Sequence, residues 1–179
     1  MNKKPKSIKT KGMIVIDPGK CVACKTCELQ CAVAHSKSKD LRKAIGEEPL
    51  SKARVKVKKF KGGGTPLQCK HCEDAPCIKI CPVKAISRVD KDSPVLIDDE
   101  VCTGCKKCIP VCPFRAIKMD EKRKKVVKCD LCIERLKKGE KPACVVACPT
   151  HALTFMLLDE TTKEKRTKYL VNYKTKAKV

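Results

Sequence analysis

The chain has 179 residues with three Phe, two Tyr and no Trp, so bulky aromatic side chains cannot dominate its core. Lys and Arg number 42 against 20 Asp and Glu, a formal net charge of +22, which suits anionic partners. No stretch approaches the roughly 18 to 20 apolar residues of a membrane span, and Met13 to Ile16 is too short an apolar run for a secretory signal; a cytoplasmic protein with reduced thiols is expected, and a disulfide framework is not.

Residues 1–11 read as a basic tail. "MIVID" at 13–17 is an apolar run with strand character, and behind it "CVACKTCELQC" holds the first cysteine group, Cys21, Cys24, Cys27 and Cys31. Residues 32–52 read as a helix followed by a loop. "ARVKVKKF" at 53–60 alternates like an edge strand, and "KGGGTP" after it reads as a flexible turn. "CKHCEDAPCIKICP" then supplies Cys69, Cys72, Cys77 and Cys81. "AISRV" and "PVLID", flanking "DKDS", predict a hairpin. It leads into "CTGCKKCIPVCP", with Cys102, Cys105, Cys108 and Cys112. "RAIKM" and "KVVKC" around "DEKRK" predict a second hairpin. The last group, Cys129, Cys132, Cys144 and Cys148, lies in "CDLCIERLKKGEKPACVVACP". Its insertion predicts one or two helical turns closed by Gly139. "ALTFMLL" at 152–158 could pair with 13–17 as a terminal strand, and 159–179 is a second lysine-rich tail.

Four groups of four use every one of the 16 cysteines, and that repetition is the strongest internal signal. Groups one and three follow C-x2-C-x2-C-x3-C, the spacing that holds 4Fe-4S clusters in bacterial ferredoxins. Three cysteines at every third position of a tight loop can converge on one face of a cuboidal cluster. The fourth, carried into a short helix, points away to the neighbouring cluster. Groups two and four lengthen the spacer before the third cysteine but keep the opening C-x2-C and the closing C-x3-C-P. Zinc is the rival metal, and group four alone would pass for an all-cysteine zinc site. Its three sister groups, with cysteines packed more closely than separated zinc pairs, favour iron-sulfur clusters. His35, His71 and His151 sit beside cysteine groups and are expected to pack against or hydrogen-bond cluster sulfurs. No nucleotide loop, nucleophile-and-base pair or spare cysteine for an active-site metal points to catalysis.

Four groups in this order, with "CKHCEDAPCIKICPVKAI" and "CDLCIERLKKGEKPACVVACPTHAL" at their positions, resemble the four-cluster ferredoxin-type subunits of anaerobic oxidoreductases, such as formate dehydrogenases and dimethyl sulfoxide reductases. The resemblance spans about residues 12 to 158. It implies an α+β fold of two ferredoxin-like two-cluster units, built from short antiparallel hairpins and short helices, one nested inside the other. The outer unit would comprise 12–68 and 113–158, and the inner unit 69–112. It also implies the ligand pairing. Cys21, Cys24 and Cys27 would share a cluster with Cys148, and Cys129, Cys132 and Cys144 one with Cys31. In the inner unit Cys69, Cys72 and Cys77 would go with Cys112, and Cys102, Cys105 and Cys108 with Cys81. Pro82, Pro113 and Pro149 follow the fourth cysteine of three groups, whereas Ala32 stands there in group one.

Four such clusters imply an electron wire rather than an enzyme. The stretch "CELQCAVAHSKSKDLRKAI" is similar to the CooF-type ferredoxin-like partner of carbon monoxide dehydrogenase. That makes carbon monoxide dehydrogenase the expected partner, with a hydrogenase or flavin oxidoreductase downstream. The alternative is a molybdenum or tungsten formate dehydrogenase or aldehyde oxidoreductase, or a hydrogenase. A basic zinc-binding nucleic-acid protein is a distant third, poor in aromatics for stacking. Each all-thiolate cluster carries about −2 oxidised and about −3 reduced, so the loaded protein stays basic, at about +14 or about +10. Complementary charge would speed encounter with an acidic redox partner.

Overall fold

A computed structural model describes residues 12–91 and 93–157. The two lysine-rich tails and Leu158 lie outside the described residues. The described residues form four separate two-stranded antiparallel sheets joined by short helices and loops. Apolar β1 (Gly12–Ile16) pairs with apolar β8 (Leu153–Leu157), Ile14 opposite Phe155 and Ile16 opposite Leu153. The expected pairing of the two terminal runs is therefore present. A 3-10 turn at Pro18–Lys20, capped by the Asp17 carboxylate accepting from Gly19 N–H, carries the chain from β1 to Cys21.

The expected edge strand forms over residues 56–60, but of the run read as a flexible turn only residues 61–62 turn, and the rest is the second strand of a hairpin. β2 (Lys56–Phe60) pairs with β3 (Gly63–Leu67), Val57 opposite Pro66, so the glycine run belongs to a strand. The reason is close packing rather than flexibility. A Cβ on Gly63 would lie 2.9 Å from the Cys21 carbonyl oxygen, and one on Gly64 would lie 2.8 Å from the Ala23 methyl. Gly64 N–H donates to the Cys21 carbonyl at 3.0 Å. The first cysteine loop rests directly on this bare backbone.

The two predicted inner hairpins form as β4 (Ile86–Ser87) with β5 (Leu96–Ile97) and β6 (Lys118–Asp120) with β7 (Lys125–Val127). Asp120, buried at the second turn, accepts from Arg123 Nε at 2.8 Å and from its backbone N–H at 3.3 Å. The helices are short: α1 (Thr26–Ala34), α2 (Leu41–Ala44), α3 (Pro76–Lys79), α4 (Ile133–Lys137) and α5 (Ala143–Val146). α4 is the predicted turn of helix inside group four, and Gly139 just beyond it takes φ +75, as the end of a helix requires. None of the described helices is long and apolar enough to cross a membrane.

Two apolar clusters result. One gathers Ile14, Ile16, Val55, Val57, Phe114 and Leu153 around Cys21, Cys27, Cys31, Cys144 and Cys148. The other gathers Ala85, Ile86, Val95, Ile117 and Val126 around Cys77, Cys102 and Cys108. Cys72 and Cys112 pack against both. In a chain so short of aromatics the cysteines are themselves core residues.

Candidate metal centre

Each C-x2-C pair is made by one repeated backbone device. The residue two beyond the first cysteine is left-handed in all four groups: Ala23 (φ 56), His71 (φ 48), Gly104 (φ 69) and Leu131 (φ 60). Only group three uses glycine; the others accept a cost of about 1–2 kcal/mol each. The twist turns the backbone N–H of the left-handed residue toward the preceding sulfur. His71 N–H donates to Cys69 Sγ and Leu131 N–H to Cys129 Sγ, both at 3.4 Å.

The closing C-P is a second device. After Cys81, Cys112 and Cys148 proline forbids further helix, and the third residue on, Lys84 (φ 53), Arg115 (φ 47) or His151 (φ 52), is left-handed. In each case its N–H returns to the cysteine carbonyl, at 3.2, 3.1 and 3.2 Å. The fourth cysteines of these groups therefore lie just beyond the short helices or in a bare turn; the helix expected to carry the fourth cysteine is present at Cys31 in group one but not at Cys112 in group three. Group one differs because Ala32 lets α1 continue past Cys31 to Ala34.

That extra helix delivers His35. Its Nδ1 lies 2.7 Å from the Cys31 carbonyl and 3.8 Å from Cys31 Sγ, and its Nε2 lies 3.0 Å from Asp130 Oδ1. Asp130 Oδ2 also accepts from Arg54 Nη1 at 2.6 Å, and Cys132 N–H donates to Oδ1 at 2.9 Å. Burial opposes a charge on His35, but the bond to Asp130 outweighs it and raises the imidazole to about 9. Burial works against the Asp130 carboxylate too, yet His35 and Arg54 hold it well below the usual range. Arg54 N–H completes the frame with a bond to Cys31 Sγ at 3.2 Å. The sequence pointed to His35 but not to Asp130, which the C-x2-C repeat hides as a mere spacer, nor to Arg54.

His71 keeps to the expected place against its cysteine group, with its N–H on Cys69 Sγ, whereas His151 does not. The His71 ring, buried, accepts from Val95 N–H at 3.0 Å and so ties group two to the first inner hairpin. His151 is exposed and contributes its backbone N–H to the closing turn.

None of the 16 cysteines is in a disulfide, and all lie among the described residues. Their thiols face one another across the groups. Burial pushes Cys27 up to about 12, with Cys148 and Cys21 among its electrostatic neighbours. Burial also raises Cys144, which faces Cys132, Cys31 and Cys27, and Cys129, which faces Cys144, Cys31 and Cys69. Cys72, pushed up to about 11 by burial, faces Cys69, Cys112 and Cys77. Cys108, up to about 11 for the same reason, faces Cys105, Cys77 and Cys102. Cys81 packs into the same apolar cluster as Cys102 and Cys108. One cavity is lined by Cys69, Cys72, Cys77 and Cys112 together. Two cysteines are exposed, Cys24 and Cys105, and the Thr26 hydroxyl on Cys24 Sγ at 3.4 Å lowers that thiol.

Sets of buried thiols that cannot ionise beside one another fit a cationic metal core, which deprotonates its thiol ligands outright. These loops thus define an iron-sulfur protein with several centres, and residues 61–158 match the 4Fe-4S dicluster domain family. The chain belongs to that family. It is 41% identical over 145 residues to YsaA of Escherichia coli (strain K12), named for electron transport, covering 80% of this chain and 88% of that one. It is 42% identical over 164 residues to an iron-sulfur protein of Rhodospirillum rubrum, covering 85% of each. It is 33% identical over 165 residues to the B subunit of anaerobic dimethyl sulfoxide reductase from E. coli, covering 83% of this chain and 75% of that one. With 16 cysteines in four groups, the chain carries four 4Fe-4S clusters.

Proposed function

We propose that this chain is an electron wire without catalysis of its own, working in the cytoplasm between a catalytic oxidoreductase subunit and a downstream acceptor. The ligand sets are Cys21, Cys24, Cys27 with Cys148; Cys129, Cys132, Cys144 with Cys31; Cys69, Cys72, Cys77 with Cys112; and Cys102, Cys105, Cys108 with Cys81. When bound, each cluster supplies a one-electron couple.

The observation that carries the reading is the order of the thiol neighbours. Cys27 of the first set faces Cys144 of the second, Cys129 of the second faces Cys69 of the third, and Cys77 of the third faces Cys108 of the fourth. Those three electrostatic neighbour relations support a linear order. Its end sets hold the two exposed cysteines, Cys24 and Cys105. Each exposed cysteine is followed by an exposed lysine, Lys25 or Lys106, and an exposed valine lies nearby, Val22 or Val101. Apolar contact ringed by positive charge suits an acidic redox partner at both ends.

Carbon monoxide dehydrogenase is the proposed donor, on the likeness of residues 27–45, with a hydrogenase or flavin oxidoreductase as acceptor. The name of one relative, a subunit of dimethyl sulfoxide reductase, keeps a molybdenum partner as the second reading. An anaerobic pull-down of the tagged protein from its host, with nickel, molybdenum and tungsten assayed on what co-purifies, tests the choice. Nickel with carbon monoxide oxidation is expected. Molybdenum or tungsten alone overturns the donor while leaving the wire.

A further inference from the structure

Lysine is rarely buried in full, yet two lysines among the described residues are. Lys70 and Lys128 are each 3% exposed. Each is the chain neighbour of a cysteine, Lys70 after Cys69 and Lys128 before Cys129. Lys70 lines the cavity formed by Cys69, Cys72, Cys77 and Cys112, and it also faces Cys129. The Lys128 ammonium donates to the Val95 carbonyl and, at 3.0 Å, to the Cys129 carbonyl, and it faces Cys77. Both side chains therefore sit where the second and third ligand sets meet. Other cations approach the cysteines from partly exposed positions: Arg88 donates to the Cys72 carbonyl and Lys125 to the Cys102 carbonyl. Solvent screens those two, whereas a charge sealed from water acts at nearly full strength.

Resting on the ligand sets proposed above, we infer that Lys70 and Lys128 are potential-setting residues, buried at the seam between the two middle sets, where they make the middle of the wire the resting place of the electron. Each reduction adds one electron and no proton, so the local negative charge grows by one. An ammonium held beside the cysteines stabilises that added charge and raises the midpoint. The end sets, with exposed Cys24 and Cys105, lack a buried lysine among the described residues. An electron entering at either end thus falls toward the centre and must be drawn off by the acceptor.

The test is a potentiometric titration of anaerobic holoprotein, followed by electron paramagnetic resonance with iron and sulfide counted. Lys70→Met/Lys128→Met is compared with wild type and with Lys70→Arg/Lys128→Arg. The neutral pair is expected to lower two of the four midpoints by at least tenfold in the reduced-to-oxidised ratio at fixed poise, about 59 mV for a one-electron couple. The arginine pair should stay near wild type. The two couples should be those perturbed by Cys112→Ser and Cys31→Ser. Should the methionine protein lose iron, Lys70→Gln/Lys128→Gln, which keeps donors for the two carbonyls, takes its place. Four unchanged midpoints with full iron in either neutral pair overturn the inference, as does a shift confined to the other two couples. Failure of the ligand grouping shows separately, as Cys77→Ser and Cys112→Ser perturbing different couples.

Discussion

Asp130 stands as an anion between two cations at a cluster loop, and Asp130→Asn isolates its charge while keeping its shape and the acceptor for Cys132 N–H. The imidazole of His35 is raised from 6.5 to about 9. At about 1.4 kcal/mol per unit that is about 3 kcal/mol of coupling, and little is lost to solvent because the two side chains are only 11% and 18% exposed. A raised histidine pKa stabilises the fold fully below 6.5, and the contribution fades as pH rises through about 9. Unfolding releases clusters irreversibly, so the quantity to measure is a rate: anaerobic bleaching in guanidinium, followed by the broad absorbance near about 400 nm. At pH 6.5 the variant should bleach faster by about two powers of ten. Above pH 9.5 the gap should shrink to what Arg54 alone supplies. Equal rates at pH 6.5, or a gap that ignores pH, would refute the reasoning.

Three other perturbations follow from the same geometry. Gly104→Ala places a Cβ 2.1 Å from the Lys124 carbonyl oxygen at φ +69, so the variant should purify with about one cluster fewer; full iron content with unchanged bleaching would count against it. Ala32→Pro gives group one the proline of its sisters but breaks α1 before His35, at a cost of about 3 kcal/mol. It should abolish the pH dependence described for wild type, and its persistence would show that His35 does not depend on that extra turn. Stripping the iron with a chelator should collapse the far-ultraviolet circular dichroism, because ligation supplies folding energy that an aromatic-poor core cannot; an apoprotein retaining its native spectrum would contradict this.

Cysteine spacing made the four loops and their metal legible, since each thiolate must be reached within a few residues. The terminal strand pair and both inner hairpins were equally plain, because apolar runs and charged turns have a short-range signature. "KGGGTP" misled because three glycines look flexible until the Cys21 loop that lies on them is known, a contact across more than forty residues. The proline rule was visible in three groups, but the meaning of its absence at Ala32 was not. It depends on Asp130 and Arg54, which are distant in sequence and carry no motif. Lys70 and Lys128 were likewise lost among the chain's many lysines, since burial is not written in a residue's identity.

The ladder between β1 and β8 joins residues 12–16 to residues 153–157. During synthesis β1 therefore waits for its partner until residues 153–157 have been made. The two inner hairpins, by contrast, find their partners within about ten residues of emerging. The β2–β3 hairpin closes early in the same way, so the β1–β8 ladder is the last sheet among the described residues to form. A chain that stalls before β8 leaves β1 unpaired and leaves Cys21, Cys24 and Cys27 without Cys148, the ligand proposed to complete their set.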